Sequence, residues 1–333
     1  MKYRKLSGTG LRVSEMCLGT MTFSGQTTEK DAVEMIRYAI ENGVNFIDTA
    51  DIYPDAGSYR GGDSEIAVGK GIKEHREQII LATKLRYPTG NGINDRGLTR
   101  SYILRAVENS LKRLNTDYID IYYMHLPDND TPMEETLYAM NDLIRSGKVR
   151  YIGLSNFAAW QIVDALAVAD KRNIIGPMIT QNVYNLLCRS IETELVPCIQ
   201  THKVGLTVYN PICGGLLTGK HQFVSEPAGN TRFSDDKVYV DRYWNEENFS
   251  AVGKLTHIAQ EAGIPLIELA MRWVATHRYV NSVVTGCSRM EQLKQNLSLL
   301  DAGSLDEDVL QACDDVWKGL VGNRYSYTAQ RPD

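Results

Sequence analysis

The amino-acid sequence predicts an α/β protein in which eight parallel strands, each followed by a helix, close into a single (β/α)8 barrel. Short apolar runs alternate with longer amphipathic segments along all 333 residues, without a linker or a change in composition. Polar side chains stand where the apolar runs end, and in such a barrel the carboxyl ends of the strands meet on one face. The unbroken alternation favours one domain, residues 1–333, over two doubly wound halves.

The apolar runs have the length and the β-branched composition of buried strands. In chain order they are MCLGT (16–20), VNFIDTA (44–50), IILATK (79–84), YIDIYYMH (118–125), VRYIGLSN (149–156), MITQNVYN (178–185), VGLTVYNP (204–211) and NSVVTG (281–286). Thr28, Thr99 and Thr131 precede helical patterns and are predicted N-caps, and Gly43 is a predicted helix stop.

Composition narrows the classes of function. Hydrophobic residues make up 43% of the chain and charged residues 23%, which is typical of a globular protein with a sizeable core. A net charge of −5 argues against nucleic acid or a membrane as a partner. No signal-peptide pattern or long apolar run is visible, and the six cysteines form no C-x-x-C pair, so we expect a cytoplasmic protein with free thiols. A monomer is the default expectation.

Four polar residues, Asp48, Tyr53, Lys84 and His125, lie at or shortly after the ends of the second, third and fourth apolar runs. The barrel geometry predicts that they share one pocket. A phenol beside an amine, a carboxylate and an imidazole is an acid–base arrangement in which the tyrosine donates a proton.

A metal site is the alternative for His125, because the motif HLPD (125–128) also offers Asp128 as a ligand. A metal-binding barrel gathers several histidines at strand ends, whereas five of the six histidines here fall in predicted helices or loops. We therefore expect no metal.

Two glycine-containing segments indicate phosphate binding. There is no G-x-G-x-x-G after the first strand, and GGLLTGK (214–220) departs from a P-loop because His221 follows Lys220. Gly214 and Gly215 instead predict a backbone cradle for a pyrophosphate. At the eighth strand, Gly286 precedes a helix whose amino terminus can receive an anion.

With these motifs in place, the chain resembles the aldo-keto reductase family over nearly its whole length. The matching stretches are FIDTADIY, GDSEIAVGKGI, ATK, YYMH, GKVRYIGLSNF, TQNVYN, YNPICGGLLTGK and VVTGCSRMEQLKQNL. The likeness is strongest to the bacterial, fungal and channel-subunit branch. It implies a TIM barrel with an N-terminal β-hairpin cap and a long loop after strand 7, and NADPH-dependent reduction of an aldehyde or ketone to an alcohol.

The resemblance also implies a role for each of the four polar residues Asp48, Tyr53, Lys84 and His125, which we call the quartet. Tyr53 would be the general acid, and since an isolated phenol titrates near pH ~10, the Lys84 cation would lower its pKa. Asp48 would pair with Lys84, and His125 would orient the carbonyl and stabilise charge on its oxygen.

Cofactor contacts follow from the same resemblance. Ser155, Asn156 and Gln181 would hold the nicotinamide carboxamide, and Tyr209 would stack on its ring. Arg289 would meet a 2′-phosphate, which favours NADPH over NADH. The remaining predicted contacts are Gly19, Thr20, Asn210, Pro211, Gly214, Gly215, Leu216, Gly219, Lys220, Gly286, Ser288, Gln292 and Asn296. Asn210 stands where many relatives have serine, so its contact is less defined.

The substrate is a small-molecule carbonyl whose identity the sequence leaves open. Predicted pocket walls are Phe23, Tyr87, Leu126, Phe157 and Trp160, with Tyr325 and Tyr327 reaching over from the tail. Aromatic walls suit aryl aldehydes, small ketones or sugar-like carbonyls. No cluster of basic residues marks an anionic substrate, although Arg60, Arg86 and Arg96 lie on loops near the rim.

Two alternatives stay open. The segment 221–248 is a lid over cofactor or substrate, or a satellite cluster of Phe223, Phe233, Tyr243 and Trp244. The protein itself is a reductase, or a nicotinamide-binding regulatory subunit that senses redox state and turns over slowly.

Overall fold

Eight parallel strands close a barrel in the computed structural model, which describes residues 1–54, 61–224, 227, 229, 231–235 and 237–321. The strands are β3 (Met16–Gly19), β4 (Phe46–Asp48), β5 (Ile80–Leu85), β6 (Ile119–Met124), β7 (Val149–Ser155), β8 (Ile179–Val183), β9 (Gly205–Tyr209) and β10 (Ser282–Gly286). Each strand pairs with the next in the chain, and β10 closes the ring against β3. The predicted (β/α)8 barrel is confirmed.

An antiparallel hairpin precedes the barrel, as the resemblance implied. It consists of β1 (Tyr3–Lys5) and β2 (Arg12–Ser14). Leu6 and Val13 are fully buried and pack with the side chains inside the barrel, among them Phe46 and Ile121. The hairpin therefore closes the amino-terminal end of the barrel, and the opposite end is left for a site.

Helices surround the barrel. They are α1 (Glu29–Glu41), α2 (Asp63–Ile72), α3 (Arg100–Leu114), α4 (Met133–Arg145), α5 (Ala159–Arg172), α6 (Leu195–His202), α7 (Arg232–Asp235), α8 (Lys237–Tyr243), α9 (Glu246–Glu261), α10 (Leu266–Thr276), α11 (Met290–Asp301) and α12 (Glu307–Val321). Their apolar faces and the outer faces of the strands form the main hydrophobic core. No helix in the described part of the chain has the length and apolar character that crossing a bilayer requires.

Two of the three predicted N-caps are confirmed. Thr28 accepts a hydrogen bond from the amide of Asp31, and Thr99 accepts one from the amide of Tyr102. The prediction for Thr131 was wrong, since Pro132 occupies the N-cap of α4. The Thr131 hydroxyl instead donates to the Asp128 carboxylate at 2.7 Å.

The long segment after β9 contains α7, α8 and the start of α9. Phe233 and Tyr243 are 2% and 1% exposed and belong to the main core. The Trp244 ring lies 5.0 Å from that of Phe233 and 4.9 Å from that of Phe249, centroid to centroid. These contacts favour the packed aromatic cluster over a lid, with only Phe223 substantially exposed at 42%.

Candidate active site

The barrel brings the predicted quartet together at the carboxyl ends of neighbouring strands. Asp48 is the last residue of β4, and Lys84 lies near the end of β5, which pairs with β4. The Lys84 ammonium forms an ion pair with the Asp48 carboxylate and donates to the carbonyl of Thr49 at 2.9 Å. Both side chains of the pair are almost fully buried.

Tyr53 and His125 complete the group. Tyr53 follows β4 in a loop, and the Lys84 nitrogen lies 5.0 Å from the centroid of its ring. His125 comes directly after β6, and its ring meets that of Tyr53 edge-on at a centroid distance of 5.8 Å. The phenol of Tyr53, the ammonium of Lys84 and the imidazole of His125 are thus neighbours, and the ammonium is paired with the buried Asp48 carboxylate.

Burial controls the protonation of Tyr53. It raises the pKa of the phenol above the ordinary 10.0, while the charge of Lys84 acts in the opposite direction. The cation therefore acts in the direction we predicted, but burial outweighs it. The phenol remains protonated at neutral pH, the state that a proton donor requires.

Lys84 and His125 have definite charge states at neutral pH. Burial lowers the pKa of Lys84, but the charge and hydrogen bond of Asp48 act in the opposite direction and the pKa stays above 10.5. Burial, followed by the charges of Lys84 and Arg86, lowers the pKa of His125 well below 6.5. The site holds a cationic amine and a neutral imidazole.

An amide network links the quartet to β7, β8 and β9. Gln181 donates from Nε2 to the second oxygen of Asp48 at 2.9 Å. Asn156 donates to the carbonyl of His125 at 3.1 Å and to Oγ of Ser155 at 3.0 Å, and it accepts from the Tyr209 hydroxyl at 2.7 Å. The residues predicted to contact the carboxamide and the ring are therefore adjacent and joined by hydrogen bonds.

The glycine turn after β9 differs from the predicted cradle. Gly214 and Gly215 have φ of +65° and +106°, which favours glycine at both positions. The Gly214 amide donates to Oδ1 of Asn210 at 2.7 Å, and the Gly215 amide donates to the carbonyl of Ile212 at 2.9 Å. Both amides thus have partners within the turn, one from the Asn210 side chain and one from the backbone.

The end of β10 is more open. Nothing lies within 4 Å of a Cβ built on Gly286. Gln292 accepts from the Ser288 amide at 2.8 Å, and Asn296 donates to the Gly286 carbonyl at 3.5 Å. Arg289, the N-cap residue of α11, is exposed, and among the described residues its guanidinium makes no ion pair.

Several predicted contacts are buried in the packing. The Thr20 hydroxyl is fully buried and bonds to Ser64 and to the Asp48 carbonyl. A Cβ on the buried Gly19 would lie 2.8 Å from Val284, so glycine is explained there by strand packing. The Leu216 side chain is fully buried. The side chains of Thr20 and Leu216 therefore offer no surface to a cofactor. Pro211 is likewise buried, whereas Gly219 and Lys220 are exposed.

Some of the residues predicted to line the substrate pocket are buried in the core, and others reach the site or solvent. Phe23 and Phe157 are 0% and 2% exposed and lie in the main core, so neighbouring elements cover these two predicted wall residues. Tyr87 does reach the site, because its ring meets the His125 ring edge-on at 4.9 Å. Leu126 is half-buried, and Trp160 is 69% exposed on α5. Arg60, Tyr325 and Tyr327 lie outside the described residues.

Comparison with known proteins shows the family of this chain. The sequence profile of the Aldo/keto reductase family matches residues 15–318. The chain belongs to the aldo/keto reductase family.

Curated relatives agree with this assignment. Aldo-keto reductase YhdN of Bacillus subtilis (strain 168) is 38% identical over 303 residues, which cover 88% of this chain and 87% of YhdN. Uncharacterized oxidoreductase YrpG of the same strain is 37% identical over 329 residues, which cover 97% and 98% of the two chains. A probable voltage-gated potassium channel subunit beta of Arabidopsis thaliana is 37% identical over 313 residues, with 90% and 92% covered. Family and relatives together support an oxidoreductase.

This aldo/keto reductase also places a buried acid behind the quartet, which our sequence reasoning missed. Asp51 is 1% exposed, and neither carboxyl oxygen has a hydrogen-bond partner among the described residues. Burial, then the charge of Glu65, raises its pKa well above 3.8. Glu65 itself is bonded to Thr83 and Arg113, each at 2.6 Å. The only sequence signal for Asp51 was its position two residues before Tyr53.

Proposed function

We propose that this aldo/keto reductase reduces an aldehyde or ketone to an alcohol with NADPH, and that Tyr53 donates the proton. One observation carries the proposal: the buried Lys84–Asp48 pair lies directly beside the ring of a protonated Tyr53. That arrangement is suited to a phenol that must lose its proton during turnover, because the neighbouring cation stabilises the phenolate.

The residues at the end of β10 fit a dinucleotide. Gly286 faces open space at the start of α11, where helix amides and the macrodipole favour an anion. The exposed guanidinium of Arg289 suits the 2′-phosphate that distinguishes NADPH from NADH. Ser155, Asn156, Gln181 and Tyr209 would hold the nicotinamide end, next to the quartet.

A bound nicotinamide cofactor supplies the hydride that forms the new C–H bond. The side chains of this protein supply the rest of the chemistry. Tyr53 passes its hydroxyl proton to the carbonyl oxygen, and Lys84 stabilises the phenolate that remains. The neutral His125 imidazole donates a hydrogen bond to the same oxygen without competing for its proton. Asp48 holds Lys84 in place, and Gln181 holds Asp48.

The proton-donor role is tested by Tyr53→Phe. General acid catalysis contributes roughly 10²- to 10⁴-fold, so we expect kcat for aldehyde reduction to fall by at least a hundredfold. Because only the hydroxyl is removed, the Kd for NADPH should change less than threefold. NADPH oxidation and fluorescence titration measure the two quantities. A variant that keeps a tenth of wild-type turnover would rule out Tyr53 as the acid.

The cofactor preference is tested by Arg289→Ala. Loss of a phosphate contact should weaken NADPH at least tenfold while leaving NADH nearly unaffected, because a charged hydrogen bond contributes about 1.5–3 kcal/mol. Arg278→Ala is the matched control, since Arg278 is an exposed arginine beyond the opposite end of β10. Equal losses for NADPH and NADH would show that Arg289 does not recognise the 2′-phosphate.

A regulatory subunit is the second candidate, favoured by the relatives whose names say channel subunit beta. In that case the same site would bind NADPH tightly and turn over slowly. Steady-state assays with a panel of aldehydes and ketones separate the two. Multiple rapid turnovers support the reductase, whereas tight NADPH binding with negligible turnover on every carbonyl supports the regulatory subunit.

A further inference from the structure

Arg86 stands two residues after Lys84, at the rim of the site. Its backbone φ is +129°, in the region that favours glycine, so the fold holds this arginine in a costly conformation. Its guanidinium carbon lies 5.9 Å from the centroid of the Tyr87 ring, and Tyr87 in turn contacts His125. The residue therefore belongs to the surroundings of the quartet.

Among the described residues, the Arg86 charge has no counter-ion. Its Nε is buried and has no hydrogen-bond partner in that part of the chain, and no carboxylate there forms an ion pair with the guanidinium. The Asp128 carboxylate is electrostatically coupled to Arg86 but already accepts from Thr131 and from the Leu98 amide, each at 2.7 Å. The other cation of the site, Lys84, is neutralised by Asp48. Arg86 thus places a positive charge at the rim that no carboxylate among the described residues neutralises.

A second guanidinium, that of Arg242, also acts on Tyr87. Arg242 lies on α8, is exposed, and its charge acts on both Tyr87 and Tyr209. Its guanidinium carbon is 6.0 Å from the Tyr243 ring centroid. The positive charges of Arg86 and Arg242 therefore both act on Tyr87, whose ring contacts His125.

We propose that the carbonyl substrate carries an anionic group, a carboxylate or a phosphate, that Arg86 binds at the rim with Arg242 adding to the positive potential. The proposal rests on the proposed reductase function and narrows its substrate class. A planar guanidinium binds either anion through two parallel hydrogen bonds, which would satisfy the buried Nε and orient the substrate. It replaces our sequence-based expectation that no basic residues mark an anionic substrate.

Kinetics on a matched substrate pair test the proposal. The probes are 4-carboxybenzaldehyde and methyl 4-formylbenzoate, which differ in charge but little in shape. We expect the wild-type protein to reduce the acid with a kcat/KM at least tenfold above that of the ester. In Arg86→Gln the acid-to-ester ratio should fall about tenfold to a hundredfold, the range for one charged hydrogen bond. Arg86→Lys should restore part of the ratio.

Arg96→Gln is the matched control, because Arg96 is exposed on the same β5–α3 loop and carries the same charge. Its acid-to-ester ratio should stay within twofold of wild type. Arg242→Gln should lower the ratio by less than Arg86→Gln. Glycolaldehyde phosphate and glycolaldehyde form a second pair, which distinguishes a phosphate from a carboxylate preference.

Direct binding separates this proposal from the reductase function. Calorimetric titration of the NADP⁺-bound protein with the same acid and ester requires no turnover. Tighter binding of the acid, lost in Arg86→Gln, would support the anion site even if no carbonyl were reduced. Equal affinity for acid and ester, or a preference that survives Arg86→Gln, would overturn it while leaving the reductase function intact.

Discussion

At the scale of single residues, burial and charge act together to set the protonation of the quartet. Burial raises the pKa of Tyr53 and lowers that of His125, and these shifts keep both side chains neutral. Lys84 behaves differently because the Asp48 carboxylate is in direct contact with it and outweighs burial. The result is one cation, one anion and two neutral groups within a small volume.

These shifts predict the pH dependence of reduction. A base with a lowered pKa is neutral at every pH above that value, and an acid with a raised pKa is protonated at every pH below it. The log of kcat/KM against pH should therefore show no break near 6.5 from His125 and stay level beyond pH 10, because the pKa of Tyr53 lies above that of free tyrosine. Initial rates of NADPH oxidation over this range measure it. A break near 6.5 that disappears in His125→Gln would contradict the neutral imidazole.

Strand position was enough to predict the quartet from the sequence. Asp48, Lys84 and His125 each end an apolar run, and the barrel geometry converts that shared property into proximity. The position of Arg86 near the rim was expected, but its lack of a counter-ion among the described residues, and the burial of Asp51, escaped prediction for a physical reason. Whether a charged side chain near a strand end is paired or unpaired depends on residues distant in the chain, and those contacts exist only after folding.

At the scale of elements, the turn after β9 depends on backbone conformation. Asn210 bonds to the Gly214 amide with Oδ1 and to the Tyr243 hydroxyl with Nδ2, which ties the turn to α8. A Cβ on Gly214 would lie 2.5 Å from a ring carbon of Tyr239, also on α8. Glycine is thus required both by φ and by packing.

We predict that Gly214→Ala destabilises the protein. An alanine in a left-handed conformation costs about 1–2 kcal/mol, and the contact with Tyr239 adds to this. Thermal unfolding is the measurement. Gly253→Ala in α9 is the control, because a Cβ there meets nothing within 4 Å, and it should be neutral or stabilising by about 0.5–1 kcal/mol. Similar losses in both variants would contradict the explanation.

Two of the three helix starts were predictable from a local capping signal. The side-chain oxygens of Thr28 and Thr99 accept from the amides three residues later and cap α1 and α3, although the Thr28 hydroxyl also donates to the Asp31 carboxylate. Thr131 is not a cap because α4 begins after Pro132, and its hydroxyl donates to the Asp128 carboxylate. A difference of one residue in where a helix begins is not encoded in helix periodicity.

At the scale of the whole molecule, Arg4 joins the amino-terminal hairpin to residues 275–280, which are distant from it in the sequence. Its guanidinium bonds to Glu15 at 2.8 Å, and to the carbonyls of His277 and Val280 at 3.0 and 2.7 Å. It also donates to the carbonyl of Ala275. The Arg4 side chain thus connects the amino-terminal hairpin with the end of α10 and the segment between α10 and β10.

We expect Arg4→Met to lower the free energy of unfolding by about 2–3 kcal/mol, since it leaves partly buried carbonyls and Glu15 without their donor. The urea midpoint measures this loss, at an unchanged m-value. Arg12→Met is the control on the same hairpin, because Arg12 is exposed and its side chain forms no ion pair among the described residues. If Arg12→Met cost as much, the hairpin's charge rather than the Arg4 contacts would be responsible.

The sequence by itself determined the family, the closed barrel and the four residues at the centre of the site. Alternating strand and helix patterns are local properties, and a parallel barrel brings all strand ends to one face whatever the loops do. Only the tertiary structure decided which predicted residues reach that face. Phe23, Phe157 and Thr20 are covered by neighbouring elements, whereas Arg86 stands at the rim with no ion-pair partner among the described residues. Burial and pairing result from long-range packing, which periodicity along the chain does not record.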